Sequence, residues 1–89
     1  MRAIVTVVGK DQVGIIANVC TLLAESGVNI LDISQTILQE YFTMVMLVDA
    51  KGSTMPFSEL AQSLKARGEE QKLSIRIQRE DIFEAMHRI

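Results

Sequence analysis

Residues Arg2-Ala3-Ile4-Val5-Thr6-Val7-Val8 are β-branched and apolar on both alternating sets, which predicts a strand buried on two faces. Gly9-Lys10-Asp11-Gln12 interrupts it, and from Val13 the period changes. Val13, Ile16, Ala17, Cys20, Leu23 and Ala24 fall at helical spacing, with Asp11 or Gln12 where an N-cap is wanted. Gly14 is expected in the first helical turn, at a cost of about 1 kcal/mol relative to alanine. Ser26-Gly27 closes this helix, Gly27 taking the left-handed position just past its end. Val28 to Leu38 reads as a long strand whose alternation slips near Leu31-Asp32-Ile33, the signature of a bulge or of burial on both faces. A hairpin turn over Gln39-Glu40-Tyr41 leads to a third strand, Phe42 to Val48.

After a loop from Lys51 to Pro56, Phe57, Leu60, Ala61 and Leu64 mark a second helix that fades into Gly68-Glu69-Glu70. Ser53 or Thr54 is its expected cap, with Pro56 in its first turn. Leu73, Ile75 and Ile77 alternate with Ser74, Arg76 and Gln78 as a half-buried strand, and Asp81 opens a short final helix carrying Ile82, Phe83, Met86 and Ile89. The order strand, helix, strand, strand, helix, strand is that of the split βαβ arrangement. The expected fold class is therefore α+β: a ferredoxin-like βαββαβ sandwich, an antiparallel four-stranded sheet backed by two helices.

The first helix is broader in its apolar arc than a surface helix needs. From Leu22 round to Ala17 the arc covers roughly 220°, against the roughly 100° that packing on one sheet requires. Thr6, Val8, Val45 and Leu47 add a partly apolar sheet face away from the helices. Either the final helix folds back over this surplus, or a partner covers it, most simply a second copy of the chain.

Composition narrows the chemistry. The 89 residues are 48% hydrophobic and 22% charged, with one proline and five glycines, as expected of one folded domain over residues 1–89. Nine Lys+Arg against eleven Asp+Glu leave a net charge of −2, which does not suit binding to nucleic acid. One cysteine and one histidine build neither an internal disulfide nor a structural zinc site, so no metal and no cofactor are expected. Gln12 to Ala24, the longest uncharged run, is too short and polar to span a membrane, and Met1 to Val5 lacks signal-peptide character. These features point to a reducing cytoplasm.

Gly9 to Gly14 has the spacing of a phosphate loop, but Ile15-Ile16 replace the Lys-Ser/Thr that such a loop needs. What remains is a strand end, a glycine-flanked turn and a helix N-terminus, suited to a small carboxylate. Cys20 reads as a small core residue, His87 as solvated, Asp32 and Asp49 as strand polars, and Met44 and Met46 as adaptable core. Asn29, which both donates and accepts, is able to hold one end of a zwitterion or simply to bond local backbone. The central strands lack the stacking aromatics of an RNA-recognition module, the chain lacks the paired cysteines of a copper chaperone, and its first loop lacks the arginine of an acylphosphatase. A small-molecule binding or dimerisation module, not an enzyme, is left.

Val5 to Ala17 together with Leu22 to Gln35 resemble the ACT domain family, whose members sense amino acids and regulate metabolic enzymes and some transcription regulators. The family's first loop often reads Asp-x-Pro-Gly; here Asp11 and Gly14 match and Val13 stands in the proline's place. Gly27-Val28-Asn29-Ile30 matches the family's Gly-x-Asn-Ile. The chain further resembles small stand-alone single-domain members and the repeats of the glycine cleavage system transcriptional repressor, whose C-terminal helix Glu80 to Ile89 is similar to. The resemblance implies a homodimer binding a small amino acid or related zwitterion between subunits. Asp11, Gln12, Val13, Gly14 and Ile15, with Lys10 as a further carboxylate partner, would form one wall, and Asn29 and Ile30 of the other subunit the second. The alternative is a protein-interaction module without its own ligand that docks a separate metabolic enzyme or regulator.

Overall fold

The computed structural model describes residues 1–10 and 14–81. The expected βαββαβ order is present: β1 (Arg2–Lys10), α1 (Ile15–Glu25), β2 (Asn29–Leu38), β3 (Tyr41–Asp49), α2 (Phe57–Glu70) and β4 (Leu73–Arg79). The strands form one antiparallel sheet in the order β2-β3-β1-β4, so β2 and β4 are its edges. The final helix expected over residues 82–89 lies outside the described residues, as do the candidate caps Asp11 and Gln12.

One core explains the register. Val5 pairs with Met46 and Ile77, and Val7 with Met44 and Ile75, so these residues share a sheet face. Ile15, Val19, Leu22 and Leu23 of α1 and Leu60 and Leu64 of α2 are buried against that face. Met44 and Met46 are fully buried there, as adaptable core residues should be. On the opposite face, Val8 and Val45 are exposed while Ile4, Thr6 and Leu47 are half-buried.

The chain reversal after α1 is tightly specified. Gly27 N–H donates to the Ala24 carbonyl at 3.0 Å and Val28 N–H to the Leu23 carbonyl at 2.9 Å. This is the Schellman pattern, with Gly27 left-handed at φ 77° and Leu23 and Val28 both buried. Ser26 adds two bonds: its hydroxyl donates to the Leu22 carbonyl, and its own carbonyl accepts from Thr54 N–H. A Cβ on Gly27 would overlap the carbonyl oxygen of Gly52. Two residues of the loop before α2 are therefore held against the end of α1.

Four local expectations are corrected. β1 does not break at Gly9 but runs on to Lys10, because Gly9 is paired on both sides, with Phe42 and with Leu73. Gly14 is not within the first turn of α1; it precedes the helix at φ 85°, a left-handed residue that starts the helix without a helix-interior penalty. Pro56 likewise sits just outside α2, its carbonyl accepting from Leu60 N–H, while Ser53 bonds Met55 and caps nothing in the helix. α2 does not fade at Gly68, which is buried inside it. A Cβ there would lie 2.9 Å from both Ile75 Cγ1 and the Leu73 carbonyl oxygen, so its absence lets α2 settle on β4.

Replacing Gly27 with alanine forces a left-handed alanine against the Gly52 carbonyl. The expected loss is at least about 2 kcal/mol in urea denaturation, with the unfolding slope unchanged. A loss under half that would show that the reversal does not need glycine.

Candidate functional site at the first turn of α1

The sheet ends are chemically different. At one end lie Lys10, Leu38 and Tyr41, aligned across β1, β2 and β3 by the pairs Lys10–Tyr41 and Leu38–Tyr41. Here the chain leaves β1 and enters α1 through Gly14. Among the described residues no side chain caps α1, and no acidic residue lies in its first turn. Helical geometry provides the N–H groups of Ile15, Ile16 and Ala17 with no acceptor inside α1, so this end carries partial positive charge and donors.

Those residues border a cleft. Gly14, Ile15, Ile16 and Ala17 on the helix side face Gln35 and Ile37 of β2 and Phe42 of β3, around a space of about 200 Å³. Ile15 and Phe42 are buried and form its base, whereas Ile16, Ala17, Gln35 and Ile37 are exposed. The cleft exists because α1 does not cover β2. Ile33, Gln35 and Ile37 sit opposite the buried Met46, Met44 and Phe42, so they belong to the helix-side face, yet all three are exposed.

The candidate residues divide between the two sheet ends. Lys10, Gly14 and Ile15 are at the α1 end, with Gly14 and Ile15 in the cleft wall. Asp11, Gln12 and Val13 lie outside the described residues. Asn29 and Ile30 begin β2 at the far end, opposite Asp49 and Val48. Eight residues of strand separate Asn29 from Ile37, about 26 Å at 3.3 Å per residue. Within one chain, therefore, the two walls do not meet. Gln35, Ile37 and Phe42 were missing from the sequence reading. The signal for them was an amide at a helix-side position of β2, where Met44 opposite is apolar.

At the far end, Asp49 Oδ1 accepts from the Lys51 N–H at 2.9 Å and from the Met1 ammonium at 3.2 Å. These two bonds and the nearby positive charges hold its carboxyl below the ordinary value of 3.8. Asp32 is not its partner; it accepts from the N–H of Ile33 and is paired across the ladder with Leu47. Among the described residues no cluster of His, Cys, Asp or Glu suits a metal, and no helix is long and apolar enough to cross a membrane.

The class is that of the ferredoxin-like βαββαβ fold, a four-stranded antiparallel sheet with two helices. The sequence pattern of the ACT domain family matches residues 2–78. An UPF0237 protein of Clostridium acetobutylicum is 54% identical over all 89 residues and over its own full length. A solved ACT domain protein from Streptococcus pneumoniae is 48% identical with a TM-score of 0.83, covering 98% of each chain. A structure named for a glycine cleavage system transcriptional repressor is 26% identical with a TM-score of 0.72, covering 86% of this chain and 44% of that one. The chain belongs to the ACT domain family.

A carboxylate with a depressed value stabilises the fold above its unfolded value, and that contribution is lost as pH falls through the folded one. Acid unfolding of the wild type should therefore include a decline in stability below about pH 3.8 that Asp49→Asn removes. Identical acid limbs for the two proteins in pH-dependent urea titrations would show that Asp49 makes no such contribution.

Proposed function

We propose that this chain is a non-catalytic regulatory module, cytoplasmic, that binds a small amino acid or related zwitterion at a homodimer interface. The observation that carries the reading is the state of β2. It is an edge strand, and Leu31, Ile33, Ile37 and Leu38 on it are 48%, 40%, 55% and 71% exposed. Long apolar edge strands are templates for pairing, and self-pairing is the economical way to cover one.

Antiparallel pairing of two β2 edges about a two-fold axis near Ile33 and Ser34 also resolves the separation of the two walls. It sets the Asn29 end of one subunit beside the Leu38 end of the other. The Asn29 and Ile30 of the partner subunit then approach the first turn of α1. In this arrangement the N–H groups of Ile15, Ile16 and Ala17 take the ligand carboxylate, helped by Lys10 at the end of β1, and Asp11, Gln12 and Val13 complete that wall as the family resemblance implies. The amide oxygen of the partner subunit's Asn29 takes the ammonium.

A ligand bound between subunits stabilises the dimer, by about 2.7 kcal/mol at a hundredfold excess over its dissociation constant. The second reading, a module that docks a separate enzyme or regulator without a ligand of its own, is favoured by the exposed Val8 and Val45 on the open sheet face.

Light scattering is expected to give twice the 9.9 kDa of one chain, and Ile33→Lys is expected to give the single-chain mass with unchanged circular dichroism. A thermal-shift panel of the common amino acids at millimolar concentration should contain at least one that raises the midpoint. A wild-type protein of single-chain mass would remove the interface, and a flat panel would leave only the docking reading.

A further inference from the structure

We infer that the amino acid taken by this site is one with a branched aliphatic side chain, seated in the cleft between the first turn of α1 and β2. The inference rests on the amino-acid reading above and specifies it. The carboxylate and ammonium are common to every amino acid, so selection falls to whatever surrounds the side chain. Here the lining supplies four apolar side chains larger than alanine, Ile15, Ile16, Ile37 and Phe42, with Ala17 beside them. Gln35 is the one polar side chain among the described lining, and it is an uncharged amide.

The lining selects by what it lacks as much as by what it has. A ligand with a charged side chain would leave that charge against Ile16 and Ile37 with no opposite charge among the described lining residues, a costly arrangement. A hydroxyl or a bare hydrogen would leave Ile16 and Ile37, 38% and 55% exposed in the single chain, without an apolar group between them. An isopropyl or isobutyl group covers them instead. A space of about 200 Å³ lies below the roughly 300–1,000 Å³ of sites for drug-sized ligands, which suits a single small metabolite. Ala17 sets the depth, because a larger residue at that first-turn position extends into the same space. Each methylene moved from water into such a site strengthens binding about fourfold.

Titration calorimetry of the full chain with glycine, alanine, valine, leucine, aspartate and lysine tests this. Affinity should rise from glycine to alanine to valine, valine exceeding glycine by at least tenfold, with aspartate and lysine weaker than valine by a similar factor. Ala17→Leu, which keeps a good helix former on an exposed site, should weaken valine at least tenfold while circular dichroism stays unchanged. Ile37→Ser, checked by light scattering to keep the dimer mass because β2 also carries the proposed pairing, should weaken valine several-fold and glycine little. Glycine, aspartate or lysine binding as tightly as valine would overturn the aliphatic assignment and leave the amino-acid site standing. Valine binding that neither variant alters would place the side chain elsewhere and overturn it too. If no amino acid gives heat or a thermal shift, the amino-acid reading falls and this assignment falls with it.

Discussion

An antiparallel sheet of four strands has two edges, and here one of them is β2, which carries five isoleucines and leucines in ten residues. β2 has a single hydrogen-bonded neighbour, β3, and only Ile30 at its start packs against the core. A strand that isolated would not ordinarily carry Leu31, Ile33, Ile37 and Leu38. Water contact at these positions weakens the driving force that a small chain needs most, since a domain of this size buries a modest share of its surface. The cost is recovered only if something covers the strand. The geometry of the cleft follows from the same fact, because among the described residues no further strand or helix fills the space between α1 and β2.

The two glycines flanking α1 act on this region in different ways. Gly27 fixes where β2 begins, through the Schellman bonds at the C-terminal end of α1 and close packing against Gly52. Gly14 fixes where α1 begins. It is left-handed at φ 85°, and a Cβ there would meet nothing nearer than Asn18 Nδ2 at 3.9 Å. Among the described residues the space around Gly14 is thus open, and what favours glycine there is backbone conformation. One glycine is demanded by packing and conformation together, the other by the turn that turns the first N–H groups of α1 toward the cleft.

Much of this was legible in the amino-acid order. The change from β-branched run to helical period, the stop at Gly27 and the alternation of Leu73, Ile75 and Ile77 each correspond to an element, although α1 buries Ile15, Val19, Leu22 and Leu23 while Ile16, Ala17 and Ala24 of the expected stripe are exposed and Cys20 is half-buried. The slip at Leu31 is the bulge, where Ile30 pairs with Val48 and Asp32 with Leu47, leaving Leu31 between them. The capping details were less legible because they depend on competition between neighbours. Ser53 is a good cap by type, but its hydroxyl bonds Met55, and Pro56, which donates no N–H, takes the position next to the helix. The exposure of β2 was illegible for a stronger reason. Its isoleucines and leucines read as core positions, and only sheet order places the strand at the edge.

The candidate site shows the same limit at a larger scale. Motif matching pointed to Gly14 and Asn29 as parts of one site, yet the sheet separates them by most of its length. On the reading proposed above, both assignments hold together through a second copy whose β2 runs antiparallel to the first. Asn29 and Leu38 bracket the strand, so its centre falls between Ile33 and Ser34, and a two-fold axis there exchanges the two ends. The bulge at Leu31 fits this arrangement, since it lies away from that centre, near Asn29. The apolar surplus on α1 and the open edge of β2 thus become one requirement rather than two. The surface that a lone chain leaves wet is the surface that would assemble the ligand's two walls.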